Sequence, residues 1–600
     1  MNVKFFFPAL LFFAAVPTGP VHAQENVSSA MEHVLVVTPS RRPESLEETI
    51  AAVSVITRED IEVSAAPDLA ELLRTLPGID VVRSGGPGSQ VSIFMRGSNS
   101  NHVLVLIDGI RASSSNTGSY VWEQLPLNQI ERVEVVRGPA GSLYGSDSIG
   151  GVIHVITRSS AEPYARITAG SYETREIEAG IGYESERAQL SINAAWRDVG
   201  GFSAQNENGF AFDPDDDGFT SANLGVKGSV VSGAGKWTFS LLALDNEAEF
   251  DQGLSATNQA IAAAGYEGRI SAAWSHQLLA GYSGEELTTD YGFYRTGFDS
   301  GRLQLSWQHQ LTAGPNDVFG FGLDGYDENG KSQGSWNEKR RNAGLFATWD
   351  HSRGPLRLQI GGRWDDNSEF PGQFTGQAAL SCALNDHWEV LAGYGTAFRG
   401  PNLNEQFSPG FSGLFAGNPD LDPESSNSAE AGVRWRHSSA GSLEISLYRT
   451  EVDDLISFSG PAFQAINIDR ARLQGIEAAY GYAAGPWAVN ASATLQETED
   501  LTTGTALLRR PKQKAAFLID RHFANGSWLG IEWVYTGDRA DFGGIGLDAY
   551  HLLNLRGGWQ VHRDWRLELR GDNLADEDYE PIYGYNAPGR SWFISLAWTP

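Results

Sequence analysis

Residues 565–570 read WRLELR, and the reading of that short stretch decides between architectures. Trp565, Leu567 and Leu569 alternate with Arg566, Glu568 and Arg570, so an extended chain here has one apolar face and one charged face. The same period returns at 443–448, where Leu443, Ile445 and Leu447 alternate with Glu444, Ser446 and Tyr448. It returns again where Val433 and Trp435 alternate with Arg434 and Arg436. A soluble antiparallel sheet alternates in the same way, so the period alone leaves two architectures open.

The other end of the chain bears on the choice. Lys4 followed by the apolar run Phe5 to Val16 and the small-residue site Val21-His22-Ala23 predicts an export signal over 1–23, with mature protein from about Gln24. The run is shorter than the ~20 residues a membrane-spanning helix needs, and no longer one follows. An exported chain with about 440 alternating residues can turn its charged faces to a lumen and its apolar faces to lipid. At roughly 20 residues per strand with its share of loop, 159–600 is predicted to form a mostly β, antiparallel transmembrane barrel of about 22 strands. A lumen that wide leaks unless filled.

The filler is predicted at 43–158, an α+β plug, preceded by a periplasmic segment at 24–42. Asp68 to Leu76 carries Leu69, Leu72, Leu73 and Leu76 at helical spacing before Pro77-Gly78, and Ile79 to Val82 resumes extended chain. Val103 to Ile107 is a wholly apolar strand ended by Asp108-Gly109.

Composition agrees and excludes alternatives. Glycine occurs 68 times, tryptophan 17, tyrosine 19 and phenylalanine 29, against 3 methionines, which suits many strands with aromatic girdles. A formal net charge of −30 argues against nucleic acid as a partner. The single cysteine, Cys382, permits neither an intrachain disulfide nor a cysteine metal cluster. There is no His-Glu-x-x-His spacing, no phosphate loop and no evident nucleophile–base set, so no enzyme is expected.

Several stretches resemble TonB-dependent outer-membrane receptors. In the plug these are LLRTLPGIDV (72–81), IFMRGSNSNHVLVLIDGIR (93–111) and IERVEVVRGPAGSLYGSDSIGGVIHVITR (130–158). In the barrel they are YGTAFRGPNLNEQF (394–407), GNPDLDPESS (417–426), ARLQGIEA (471–478) and DNLADEDYEPIYGYNAPGR (572–590). Within that superfamily HVLVVTPSR (33–41), RGSNSNHVLVLIDGIR and ALLRRPKQ (506–513) look most like the cobalamin (vitamin B12) receptors. The resemblance implies active import of cobalamin or a related corrinoid, with a ferric siderophore or haem as the alternative cargo. It implies a monomer in the outer membrane whose partners are TonB with its inner-membrane energy-transducing complex, membrane lipid and lipopolysaccharide, and the barrel assembly machinery.

His33, Val34, Leu35, Val36, Val37, Thr38 and Pro39 resemble the TonB box. A short β-prone run beside a flexible polar terminus is suited to add as a strand to a partner's sheet edge. The alternative is a first strand of the plug. Gln90, Ser92 and Asn99 match plug contacts to cobalamin, as do Thr117 and Gly118 on a second apical loop, with Thr296, Arg509 and Phe542 from the barrel. In Asp213-Pro214-Asp215-Asp216-Asp217, alternate aspartates of an extended loop project to one side, a set of hard oxygens suited to calcium. Position twelve of an EF-hand frame would be Leu224, so the loop is not an EF-hand. The resemblance implies calcium held by Asp213, Asp215 and Asp217 with Phe250 and Asp251; a solvated acidic loop without metal is the alternative. Arg96 and Arg137 are expected to pair with lumen carboxylates.

Overall fold

The computed structural model describes residues 35–600 apart from 65, 411–413 and 460–462. The export signal, His33 and Val34 lie outside the described residues.

The N-terminal part builds three small sheets. Strands β1 (Leu35–Val36) and β2 (Glu44–Ser45) pair with each other. Then follow β3 (Ala52–Ile56), α1 (Arg58–Ser64), α2 (Leu69–Arg74), β4 (Ile79–Arg83), β5 (Val91–Met95), β6 (Val103–Ile107), β7 (Ile110–Arg111), β8 (Ile130–Arg137) and β9 (Gly151–Thr157). The main sheet has the order β3-β8-β9-β6-β7, with β6 and β9 parallel, while β4 and β5 form a separate antiparallel pair. Helix α2 starts where Asp68 accepts from the Glu71 amide at 3.1 Å and stops before Pro77. Its Leu69, Leu72 and Leu73 bury against Ile79, Ile93, Val105 and Ile153 in a core that Leu242, Leu244 and Ile261 of the barrel wall also join. Gly78 has a positive φ of 69°, and a Cβ there would stand 2.0 Å from the Glu477 carboxylate of the wall, so only glycine fits this approach.

Around the plug runs a closed 22-strand antiparallel barrel. Its first strand, Tyr164–Gly170, pairs with its last, Ser591–Trp598, in the register Ile167↔Leu596. The alternation read in WRLELR is realised: Glu568 is buried inside, whereas Trp565, Ile594 and Leu596 are exposed outside, where lipid takes the place of water. Trp237, Trp274, Trp388, Trp487 and Trp565 each stand within three residues of a short turn, all at one end of the barrel. That end is periplasmic, because the opposite end carries the long loops 200–218, 400–423, 537–549 and 573–590.

As expected, the plug is held by buried ion pairs. Arg96 meets Glu477 through two hydrogen bonds of 3.0 Å and Glu430 at 3.0 Å, and Arg137 reaches Glu477 at 3.2 Å. Unpaired, these charges would be prohibitive in so dry a place.

Candidate functional site

At the periplasmic end, residues 35–39 are folded into the plug. Val36 is fully buried, and Thr38 is 1% exposed. The Val37 and Thr38 amides both donate to Glu134 Oε2 at 2.9 Å, and Thr38 Oγ1 donates to the same oxygen at 2.6 Å. Gly109 N donates to His154 Nε2 at 3.0 Å, which leaves the proton on Nδ1, 3.0 Å from Thr38 Oγ1. Burial pushes the His154 imidazole below its ordinary range, in keeping with that neutral form. Next in the chain, Arg41 donates to Asp324 of the wall at 2.7 Å and to Ser306 at 2.9 Å. Leu35–Val36 is thus a short strand and Val37–Pro39 a turn docked on the plug, because Glu134 supplies acceptors that the run cannot find within itself. Glu134 and His154 were missed in the sequence reading, because IERVEVVR carries two acids and two arginines among its eight residues and nothing sets Glu134 apart from the rest.

At the extracellular end, three plug loops meet the barrel loops. The apical loop at 84–90 lies against 202–204: a Cβ on Gly85 would come within 2.7 Å of Ala204, and one on Gly86 within 3.5 Å of Phe202. Gln90 is exposed on this loop, and Ser92 is half-buried on β5, opposite Val82. The loop after Gly97 is clamped by Arg510, which donates to Gly97 O and Ser98 O at 3.1 Å and to Asn99 Oδ1 at 2.6 Å while stacking 3.7 Å over the Phe94 ring. The third loop presents exposed Thr117 beside Gly118, and Asn402 donates to Thr117 O at 3.0 Å. Arg509 is partly engaged, its Nε donating to Asp541 at 2.7 Å. Phe542, 70% exposed, stands at the tip of the same outer loop, and Thr296 sits at the top of its strand opposite Thr289. Sequence matching found Arg509 but passed over Arg510, which secures Asn99.

The acidic loop departs from its expected form. Asp213 and Asp215 are exposed, whereas Asp217 turns inward, is 4% exposed, and accepts from the Ala204 amide at 2.7 Å. The three aspartates thus do not converge, and among the described residues no group of three or more His, Cys, Asp or Glu side chains is set to hold a metal. The Ala204 amide occupies one Asp217 oxygen and holds that carboxylate inward. Asp251 nonetheless fits a cation site: it is 6% exposed, Oδ1 accepts from the Asp213 amide at 3.0 Å, and Oδ2 is buried without a partner. Phe250, next to it, packs edge-on to Tyr291 at 5.6 Å.

A closed barrel with an apolar outer belt and a lumen filled by a separate N-terminal domain defines a gated outer-membrane transporter rather than an open pore. Residues 45–152 match the TonB-dependent receptor plug domain, and 155–574 match the TonB-dependent receptor-like β-barrel. The chain belongs to the TonB-dependent receptor family, whose members are transporters energised by TonB, not enzymes. Solved structures share the architecture. The siderophore receptor PirA from Acinetobacter baumannii aligns at TM-score 0.80 and 17% identity, over 91% of this chain and 98% of that one. A variant of the ferric enterobactin receptor PfeA from Pseudomonas aeruginosa aligns at 0.79 and 18%, over 92% and 100%. The ferric-catecholate import receptor Fiu from E. coli K12 aligns at 0.79 and 15%, over 93% and 98%.

Proposed function

We propose that this receptor imports cobalamin or a related corrinoid, with residues 33–39 as its TonB box and a calcium ion ordering its outer loops. The observation that carries the cargo is the charge of the extracellular mouth. Loop 200–218 exposes Glu207, Asp213, Asp215 and Asp216 and holds no lysine or arginine, and loop 400–423 exposes Asp420 and Asp422 and holds none. Such a rim repels anionic ferric catecholates but accepts a large amide-rich ligand of little net charge. The exposed small polar residues Gln90 and Thr117, with Ser92 and Asn99, suit hydrogen bonds to amides. Calcium, held by Asp217 and Asp251 with help from the acids beside them, would supply positive charge that draws loop 200–218 together, removing part of the ordering cost of ligand binding.

A second reading, import of a ferric siderophore, is favoured by the solved neighbours, which are siderophore receptors; at 15–18% identity they carry the architecture. One experiment separates the two. Purified receptor is titrated with cobalamin and with ferric enterobactin, with and without calcium. Cobalamin is expected to bind more tightly with calcium, and Arg509→Ala to lose about 1–3 kcal/mol of that affinity. Binding of the ferric chelate with no detectable corrinoid binding replaces the first reading by the second.

A further inference from the structure

Beneath the mouth, between plug and wall, lies a small pocket whose lining holds more cations than acids. Arg74 enters it from the end of α2, Lys514 from the strand Gln513–His522, and Arg539 from the short strand Arg539–Asp541 of an outer loop. All three are buried, at 5%, 5% and 6% exposure. Arg509 also lines the pocket but is paired with Asp541.

Two of these cations spend their donors on backbone carbonyls rather than on carboxylates. Lys514 donates to the carbonyls of Leu76, at 3.4 Å, and Ile79. Arg539 donates to the carbonyls of Asp548, at 3.1 Å, and Glu580. Among the described residues, neither has a carboxylate oxygen within 4.0 Å, the limit for an ion pair, whereas most other buried cations of the lumen do. Arg74 has one, Glu71 at 2.9 Å, which outweighs burial and holds the guanidinium above its ordinary range, while its Nε and Nη1 are buried with no hydrogen-bond partner. The one acid lining the pocket, Asp80, accepts from Gln496 at 2.6 Å, and burial raises its carboxyl above the ordinary range, so it is a weak counter-charge. Burial, joined by the positive charge of Arg74, also holds the Arg539 guanidinium below its ordinary range. A buried cation without a counter-ion is strongly destabilising, and a guanidinium with two idle N–H groups is a ready donor to an anion.

We propose that this pocket binds one small monatomic anion, of the chloride class, that bridges the plug at Arg74 to the wall at Lys514 and the outer loop at Arg539. The anion supplies the missing negative charge and fastens α2 to the barrel below the ligand platform. Arg509, a proposed cargo contact, lines one edge of the pocket, but Arg74, Lys514 and Arg539 are not cargo contacts, so the anion site stands whichever cargo is imported.

The test uses the full receptor in detergent. Thermal unfolding is followed at constant ionic strength while bulky gluconate is replaced by chloride. A saturable rise of several degrees in Tm is expected for the parent protein, and Arg539→Gln and Lys514→Gln should each remove at least half of it. Each variant is compared with itself across anions, so any general loss of stability cancels. Crystals grown in bromide should show an anomalous peak among Arg74, Lys514 and Arg539. A parent protein indifferent to the anion, a rise unchanged in both variants, or no bromide peak in the pocket each overturns the proposal.

Discussion

Replacing Glu134 by glutamine tests how residues 36–38 are kept folded in. One oxygen of this fully buried carboxylate receives the Val37 amide, the Thr38 amide and the Thr38 hydroxyl at 2.6–2.9 Å. Hydrogen bonds to a charged acceptor contribute about 1.5–3 kcal/mol each, but three that converge on one atom compete, and glutamine keeps one neutral oxygen. A net loss of about 2 kcal/mol follows, which at ~1.4 kcal/mol per decade is a roughly thirtyfold rise in local opening. Hydrogen exchange of the Val37 and Thr38 amides reads that change directly, with the β9 amides as an internal control. Exchange at 37 and 38 should accelerate about thirtyfold while β9 stays protected. Unchanged protection at both amides would refute the reasoning, since it would mean that Glu134 is not what holds the segment.

Other expectations follow from the same geometry. Val37→Pro removes the amide that donates to Glu134 and one a partner sheet would need, so cobalamin should still bind at the cell surface while uptake collapses; uptake at the parent rate sinks the TonB-box assignment. Arg96→Ala removes the bidentate partner of Glu477 and leaves it Arg137 alone, a cost below the ~3–5 kcal/mol of a fully unpaired buried charge, and should appear as earlier melting of the plug and raised leak conductance in planar bilayers. Burial, with Asp251, Asp215 and Glu249 nearby, pushes the Asp217 carboxyl up to about 6. A calcium ion must displace that proton, so its affinity should be full above about pH 6 and fall about tenfold per unit below it; a flat titration between pH 5 and 7 contradicts this. Asp217→Asn should flatten the profile.

What the sequence made legible was whatever repeats locally. The two-residue period of 565–570 places Glu568 inside and Trp565 outside without knowledge of any neighbour. Asp68, the spaced leucines and Pro77-Gly78 locate α2 to within two residues. The functional contacts were less legible because their partners are distant. Thr38 and Glu134 are separated by 96 positions, and Arg510 and Asn99 by 411. No period announces such pairs. The acidic loop shows a third limit: alternation in an extended chain predicts that Asp213, Asp215 and Asp217 share a side, but a loop bends to satisfy its backbone, and the Ala204 amide takes Asp217 inward.

The six residues 158–163 between β9 and the first barrel strand act as a leash. At ~3.5 Å per residue it reaches only about 20–25 Å, and it is snubbed at its ends, where the Arg158 guanidinium lies 3.8 Å over the Tyr164 ring. The strand it is tied to is also the one that closes the seam with Ser591–Trp598. A pull applied at residues 35–39 therefore meets Glu134 on β8 and the Arg41 tie to Asp324 of the wall first, and reaches β9 and the leash only after these give way. Traction unravels such a device from its free end, and the far end stays moored to the wall, ready to guide the chain back when the tension is gone.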